Sequence, residues 1–368
     1  MHICFLTTGN IRHIATMKRA IGLANHMADL GWEVSIVAMD CSDNRAQIRQ
    51  SCDARVILRT FDDSSAFLEV VQKTRILRSM SVDVLYLCSY SFRNRVWQPA
   101  VPRRMRMVVE HSELFSSIQG VSLLKRMIAA YFERLSLSVS DDIVCASQYL
   151  YDHYTRKKGI NGPRVHYLPY GYAESLKTDP PCLLEKLRKD YDGQYNVVYM
   201  GSLIRDYGLF LMLEAFRQLK GTKKSFYLHL LGSGPDEAAA KKFVQDNELS
   251  SHVGFAGYVP ESHLSSWFHL ADAFLAPLSD TVQDHARCPS KTYMYLAFGK
   301  PILTCRIGES AQLFEDPKLF FQPDNPTDLA ARLQVLAESP DCILPPVSAH
   351  SWLERARSLS HMLLQPHG

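Results

Sequence analysis

Nowhere in these 368 residues is there a run of the roughly 18 or more apolar residues that a membrane-crossing helix needs. The chain opens directly on a strand-like run, without a charged leader and apolar core, so a cytoplasmic protein is expected. No Cys-x-x-Cys occurs. The nine cysteines (Cys4, Cys41, Cys52, Cys88, Cys145, Cys182, Cys288, Cys305 and Cys342) stand singly, several within runs such as Ile3-Cys4-Phe5-Leu6. Reduced, buried thiols are therefore expected, and no metal site. A net charge of +3 is too small to imply a nucleic-acid partner. There is no internal repeat. With 46% hydrophobic and 21% charged residues, neither a disordered nor a fibrous chain fits.

What is present divides into two halves, as the length suggests. His2 to Leu6 reads as a strand closed by Thr7-Thr8-Gly9-Asn10, after which Ile14, Met17, Ile21, Ala24 and Ala28 recur at helical steps. Gly31 ends that helix and Val34–Val37 starts a second strand, giving a first βαβ unit. Strand-like runs follow at Val82–Cys88, Met107–Glu110, Asp142–Ala146 and Val165–Leu168. A polar stretch from Lys177 to Gly193, with Asp179-Pro180-Pro181 inside it, reads as a linker. Alternation then restarts: strands at Val197–Met200, Phe226–Leu231, Ala273–Ala276 and Pro301–Cys305, and helices through Leu209 and from about Ser290. The expected fold class is α/β, with two Rossmann-like doubly wound domains facing across a cleft. The expected bounds are 1–175 for the first domain, 190–345 for the second, and 346–368 for a tail helix crossing back to the first. Parallel sheets of this kind present ligand-binding loops at the carboxyl ends of their strands.

The chemistry concentrates between Val197 and Cys305. Pro289, Ser290 and Lys291 open a helix that Gly299 closes, so free N–H groups and an ammonium sit together in one first turn, suited to a diphosphate. Arg205 follows Gly201 past a strand end, where a guanidinium can grip phosphate oxygens in pairs. Gly232-Ser233-Gly234-Pro235 allows close backbone approach. Each signal by itself also fits a capped helix, a surface arginine or an ordinary turn. In the first half, Arg93, Arg95, Arg103, Arg104 and Arg106 form a basic cluster that reads either as an anionic-surface patch or as a solvated loop.

Taken in order, these motifs resemble the retaining nucleotide-sugar glycosyltransferases of the two-Rossmann (GT-B) type, glycosyltransferase family 4, over nearly the whole chain. The resemblance rests on Thr7-Thr8-Gly9, Asp141 to Ser147 leading to Leu168-Pro169-Tyr170-Gly171, Gly201-Ser202-Leu203 and Leu231 to Pro235. It continues through Val253 to Pro260, Ala271 to Pro277, Pro289-Ser290-Lys291 with Tyr295 to Pro301, and Ser351-Trp352-Leu353-Glu354. It implies a nucleoside diphosphate sugar as donor, a hydroxyl acceptor (saccharide, lipid-linked glycan or small molecule) and no further cofactor. Gly9 and Asn10 would face the donor diphosphate, as would Gly201 and Ser202. Arg205, Ser290 and Lys291 would neutralise it, Gly232 and Gly234 would line the nucleotide pocket, and Tyr258 and Val259 would border the base. His111, at a strand end between Glu110 and Glu113, matches the family's donor-side histidine, the alternative being a histidine satisfied in the core.

Three positions depart from the pattern. Met294 stands where the family holds a ribose-binding glutamate, and Ala286 where it holds a glutamate near the transferred sugar, with Asp280, Asp284 and His285 as the nearby polar substitutes. Tyr207 replaces a lysine two residues after Arg205. A missing ribose carboxylate removes a charge-assisted hydrogen bond of about 1.5–3 kcal/mol. The leading expectation is retaining, metal-independent sugar transfer in glycan synthesis. The rivals are a non-catalytic partner or regulatory subunit, and a sugar-nucleotide epimerase or hydrolase on the same plan. Leu123-Leu124-Lys125-Arg126-Met127-Ile128 offers a basic amphipathic surface for peripheral contact at the inner membrane face. The same residues read in preference as a helix packed on the domain core.

Overall fold

The computed structural model describes residues 1–11, 16–101, 105–177 and 181–365. Ile14, Arg103, Arg104, Asp179 and Pro180 lie outside the described residues. The chain forms two compact units, one of Met1–Gly171 with Ala286–Cys288 and the closing segment from Ser351, the other of Tyr172–His285 with Pro289–His350.

In the first unit the elements run β1 (His2–Leu6), α1 (Thr16–Asp29), β2 (Glu33–Met39), α2 (Ser42–Ser51), β3 (Val56–Phe61), α3 (Ala66–Arg78) and β4 (Val84–Leu87). They continue with β5 (Arg106–His111), α4 (Leu123–Val139), β6 (Asp142–Cys145), α5 (Gln148–Lys157) and β7 (Arg164–Tyr167). The sheet order is β3-β2-β1-β4-β5-β6-β7, all parallel. β1 and β4 are buried along their whole length, as continuous apolar runs covered on both faces must be. Strand order reverses between β1 and β4, the place where open α/β sheets bind ligands.

The second unit repeats the plan with α6 (Pro181–Asp190), β8 (Tyr195–Met200), α7 (Leu209–Leu219), β9 (Phe226–Leu231), α8 (Glu237–Asp246), β10 (Val253–Gly257), α9 (Glu261–Leu270) and β11 (Ala273–Ala276). Then come α10 (Val282–Ala286), α11 (Ser290–Leu296), β12 (Ile302–Thr304), α12 (Gly308–Leu313) and α13 (Pro326–Glu338). Its order is β10-β9-β8-β11-β12, again parallel, with the reversal between β8 and β11. One core lies between α7, α8 and α13 and one face of the sheet, with Leu213, Phe216, Leu228, Leu230, Leu275 and Leu333 fully buried.

β3 and β10 carry no strand signal in the reading of the sequence. Both are edge strands, partly exposed, and β10 contains Gly254 and ends on Gly257, so neither shows a buried apolar run.

Helix α14 (Trp352–Leu364), opened by Ser351 accepting the Glu354 amide, packs on α1 within the first unit. A Cβ on Gly22 would lie 2.3 Å from the Trp352 ring, so only glycine lets that indole lie flat against α1. Arg106 donates to the Leu363 carbonyl at 2.6 Å and pairs through Nε with buried Asp142 at the same distance. Asp142 also receives Arg164 at 3.0 Å and His166 at 2.8 Å.

The described arginines of the basic cluster therefore do not form one surface. Arg106 is turned inward, Arg93 pairs with buried Glu69 at 2.9 Å, and Arg95 lies over the Phe92 ring at 4.8 Å. Helix α4 also departs from expectation. Its buried residues are Phe132, Glu133 and Ser136, so the carboxyl half packs on the core while Leu123 to Ile128 stay exposed.

Candidate functional site

In the second unit, three loops meet at the carboxyl ends of β8, β9 and β10. The Gly201 amide donates to the Leu231 carbonyl at 2.9 Å and the Leu203 amide to the Ser233 carbonyl at 3.0 Å. The Gly232 amide donates to the Gly257 carbonyl at 2.7 Å. Contact is backbone on backbone. A Cβ on Gly232 would stand 2.0 Å from the Gly201 carbonyl oxygen, and one on Gly234 2.3 Å from that of Leu203. These glycines are thus required by the packing of the loops themselves, before any ligand is considered.

Lys291, in the first turn of α11, reaches over this floor. Its Nζ lies 4.1 Å from the centre of the Tyr199 ring and 3.0 Å from where a Cβ on Gly201 would be. A cation over an aromatic face is attracted by the negative face of the ring. Tyr199 Oη donates to the Ser202 carbonyl at 3.1 Å, which fixes the ring beneath the ammonium. The Met200 amide donates to Tyr295 Oη at 2.7 Å, tying the end of β8 to α11, and Tyr295 stacks on Phe274 at 4.3 Å. No sequence motif marks either tyrosine as functional. Their only signal is position, one beside the strand end and one a helical turn after Lys291.

Arg205 follows in the same loop. Its amide donates to Asp236 at 2.7 Å, and its exposed guanidinium rests 4.1 Å from the Phe210 ring centre, with no ion pair among the described residues. Lys291 and the loop that carries Arg205 thus lie at the end of β8, beside the strand-order reversal between β8 and β11, with the Gly232–Gly234 loop at the neighbouring end of β9. Ser290 opens α11 behind the Pro289 N-cap, and Gly299, at φ +62°, ends the turn that follows it. Tyr258 is exposed just beyond Gly257, with Val259 partly covered.

The remaining second-unit candidates are engaged locally. Buried Asp284 accepts the Ser279 amide at 2.7 Å, and His285 Nε2 lies 2.8 Å from Asp280. Met294 is partly exposed on α11, whereas its neighbour Tyr293 is buried and donates to buried Glu309 at 2.7 Å. Lys300, part of the Gly299-Lys300-Pro301 motif, caps α9 by donating to the His269 carbonyl at 2.7 Å and to that of Ala271. Burial depresses its amine to about 8.

In the first unit, Ala286 is fully buried among Leu114, Ile143, Cys145, Leu150 and Tyr154, and its carbonyl accepts Ser147 Oγ at 2.5 Å. A carboxylate there would lack both water and partners. Gly9, at φ +71°, turns the chain after β1. Its carbonyl accepts Asn44 Nδ2 at 3.0 Å, while Asn10 donates to Asp43 at 2.9 Å and Thr8 to Glu69 at 2.7 Å. This loop is braced from α2 and α3.

His111 ends β5, buried and stacked on the Tyr154 ring at 4.2 Å. Nε2 lies 2.9 Å from Ser136 Oγ and Nδ1 3.0 Å from Tyr154 Oη. Ser136 donates its own proton to the Glu133 carbonyl, so it accepts from His111 Nε2–H, and Nδ1 accepts from Tyr154. Both ring nitrogens are in use. Burial, with the nearby His153 charge, lowers the imidazole to about 3, so it stays neutral. Next to it, Glu110 pairs with fully buried Arg19 at 2.8 Å, and Arg19 also donates to the Leu168 carbonyl at 2.8 Å. Burial, only partly offset by Arg19, raises the Glu110 carboxyl.

Two parallel-sheet α/β units of this topology are the fold of the GT-B glycosyltransferases. HepE of Anabaena, solved with UDP and glucose, superposes with a TM-score of 0.77 at 14% identity over 99% of both chains. Residues 185–358 match the family described as Glycosyl transferases group 1. The lipopolysaccharide 1,2-N-acetylglucosaminetransferase of Salmonella typhimurium is 24% identical over 182 residues, 47% of this chain and 46% of that protein. The amylovoran biosynthesis glycosyltransferase AmsK of Erwinia amylovora is 27% identical over 131 residues, 35% and 32% of the two chains. The chain thus spans about a third to a half of the length of the curated relatives it matches.

Proposed function

We propose that this protein is a retaining glycosyltransferase of family 4 type that moves a sugar from a nucleoside diphosphate donor to a hydroxyl acceptor in glycan synthesis. The observation that carries the reading is the Lys291 ammonium held over Gly201 at the strand-order reversal, beside the Gly232 and Gly234 loop. In the reaction the bond from the anomeric carbon to the diphosphate oxygen breaks and a bond to the acceptor oxygen forms on the same face. The acceptor proton passes to the departing diphosphate. Lys291 and Arg205 meet the negative charge that grows on that leaving group, which is where preorganised cations lower a barrier most. The reading assigns this work to side chains and not to a metal, so turnover is expected to survive EDTA. His111 acts as a positioning residue for β5 and α5, since neither ring nitrogen is open to a substrate.

The names of the relatives support the polysaccharide setting, and the UDP bound by HepE makes UDP the first nucleotide to try. Calorimetry with UDP, GDP, ADP, CMP and TDP tests the site. One nucleotide should bind saturably, and Arg205→Ala should weaken it by about 10- to 150-fold, the loss of one charge-assisted hydrogen bond. Binding of no nucleotide, or equal binding by the variant, would overturn the assignment. A second reading, a non-catalytic partner of another transferase, is favoured by Met294 and by the burial of Ala286. Release of nucleoside diphosphate by the purified chain with acceptor present separates the two.

A further inference from the structure

We infer that Lys73 and Glu69 on α3 are positioning residues, a buried charged clamp that fixes the loops after β1 and β4 against each other at the strand-order reversal of the first sheet. The inference rests on the transfer reading only for what the Thr8–Asn10 loop meets, the donor diphosphate. Helix α3 is the crossover from β3, on one side of β1, to β4 on the other, so the reversal lies within its span. One turn apart on this helix, Lys73 is fully buried and Glu69 is 3% exposed. The Lys73 ammonium donates to Glu69 Oε1 at 2.7 Å, to the Arg93 carbonyl at 3.0 Å and to Asn94 Oδ1 at 3.1 Å, and lies 4.5 Å from the Phe61 ring centre. Its three N–H groups are all used. Glu69 accepts Thr8 Oγ1 on the same oxygen at 2.7 Å and Arg93 Nη1 on the other at 2.9 Å. Asn94, also buried, carries the connection further, its Nδ2 donating to the Leu6 carbonyl at 3.1 Å and to the Ser89 carbonyl at 2.9 Å. From one ammonium, bonds thus run to the last residue of β1, to the Thr8 hydroxyl two residues later and to the loop that leaves β4.

Stability does not account for this arrangement. Desolvation of a buried ion pair offsets most of its attraction, and apolar residues of similar volume would pack α3 equally well. What the charges add is direction: the Thr8 hydroxyl, the Leu6 carbonyl and the Ser89 carbonyl are held in one arrangement through partners that the ammonium orients. That arrangement depends on a proton. Burial lowers the Lys73 amine to about 8, with Glu69 opposing the shift. The charged or titratable groups that face it are Glu69 from its own helix, Arg93 from the loop after β4, and the Cys88 thiol, which burial keeps protonated. A neutral amine has two N–H groups for three acceptors, so deprotonation removes one bond of the clamp.

Hydrogen exchange of the full chain at pH 7, read by mass spectrometry, tests the clamp without any ligand. In Glu69→Gln, and in the double variant Glu69→Leu with Lys73→Met, amides in the loops 7–11 and 88–96 should exchange about 10- to 150-fold faster, while β2 and the second unit keep wild-type rates. The melting temperature of the double variant should stay near the wild-type value, because an apolar pair replaces an ionic one. Initial rates of UDP release from UDP-glucose, measured against pH, give the second readout. The wild type should lose kcat/KM above about pH 8. Glu69→Gln takes away the carboxylate that favours the ammonium, so it should move that limb down by about 1–3 pH units, which a merely structural role would not do. Lys300, likewise near 8, lies in the second unit and is untouched by the change. Loops that exchange at the wild-type rate in both variants, exchange that quickens equally throughout the first unit, or an alkaline limb that stays in place would overturn the inference. A wild type that releases no UDP would count against the transfer reading alone, since the exchange rates are read without a substrate.

Discussion

Replacing His111 by phenylalanine keeps the ring stacked on Tyr154 and removes both the proton site and the bonds to Ser136 and Tyr154. Ser136 retains its bond to the Glu133 carbonyl, so Tyr154 Oη is the group left unpaired. An orphaned buried hydroxyl costs about 1–3 kcal/mol, which is the expected loss of stability at pH 8. Acid changes the comparison. His111 is depressed to about 3 in the folded protein and titrates near 6.5 when unfolded. As pH falls through 6.5 the unfolded chain takes up a proton that the folded one refuses, so the wild type loses stability down to about pH 3. Between pH 8 and pH 5 this single group removes about 2 kcal/mol, and the variant does not share the loss. The gap between the two proteins should therefore shrink by about 2 kcal/mol on going to pH 5. Urea unfolding followed by tryptophan fluorescence reads this, since Trp32, Trp97 and Trp352 belong to the unit that holds His111. A gap that is the same at both pH values would refute the burial argument. A variant of unchanged stability but lost turnover would return His111 to the chemistry.

Lys291→Ala should weaken nucleoside diphosphate binding by about 10- to 150-fold while leaving the nucleoside untouched, because only the phosphate meets the ammonium; paired titrations check this. Gly232→Ala forces a Cβ against the Gly201 carbonyl, so it should abolish nucleotide binding and lower the melting temperature, whereas Gly221→Ala, with nothing near it, should leave binding unchanged. Removing Glu110 alone leaves the buried Arg19 uncompensated and should cost about 3–5 kcal/mol in denaturant unfolding. The double change Arg19→Met with Glu110→Leu should recover most of that loss, and failure to do so would show that the pair stabilises the unit beyond its own desolvation.

Much of the fold is legible in local pattern. Runs such as His2–Leu6 and Phe226–Leu231 are apolar at nearly every residue because parallel strands are covered on both faces, and the glycines at 201, 232 and 234 mark strand ends where loops touch. The edge strands β3 and β10 escape because half-exposed strands carry no such run. The candidate phosphate cations, Lys291 and Arg205, are likewise visible beside helix and strand ends.

What surrounds those residues depends on strand order and register, and these join positions far apart in the chain. Tyr199 lies under Lys291 because β8 and α11 meet across a central strand, and nothing in either segment states that contact. In the sequence His111 matches a donor-side histidine, with a core histidine as the alternative, and nothing local shows that Ser136 and Tyr154, 25 and 43 residues away, bond its two ring nitrogens. Arg106 counts with its basic neighbours in the sequence and against them in the fold, where buried Asp142 claims it. Ala286 and the outer face of α4 make the same point in opposite directions, one buried and one bare. Composition and period determine which residues can be apolar or charged; only the packing of distant elements decides which of them meet water, one another or a ligand.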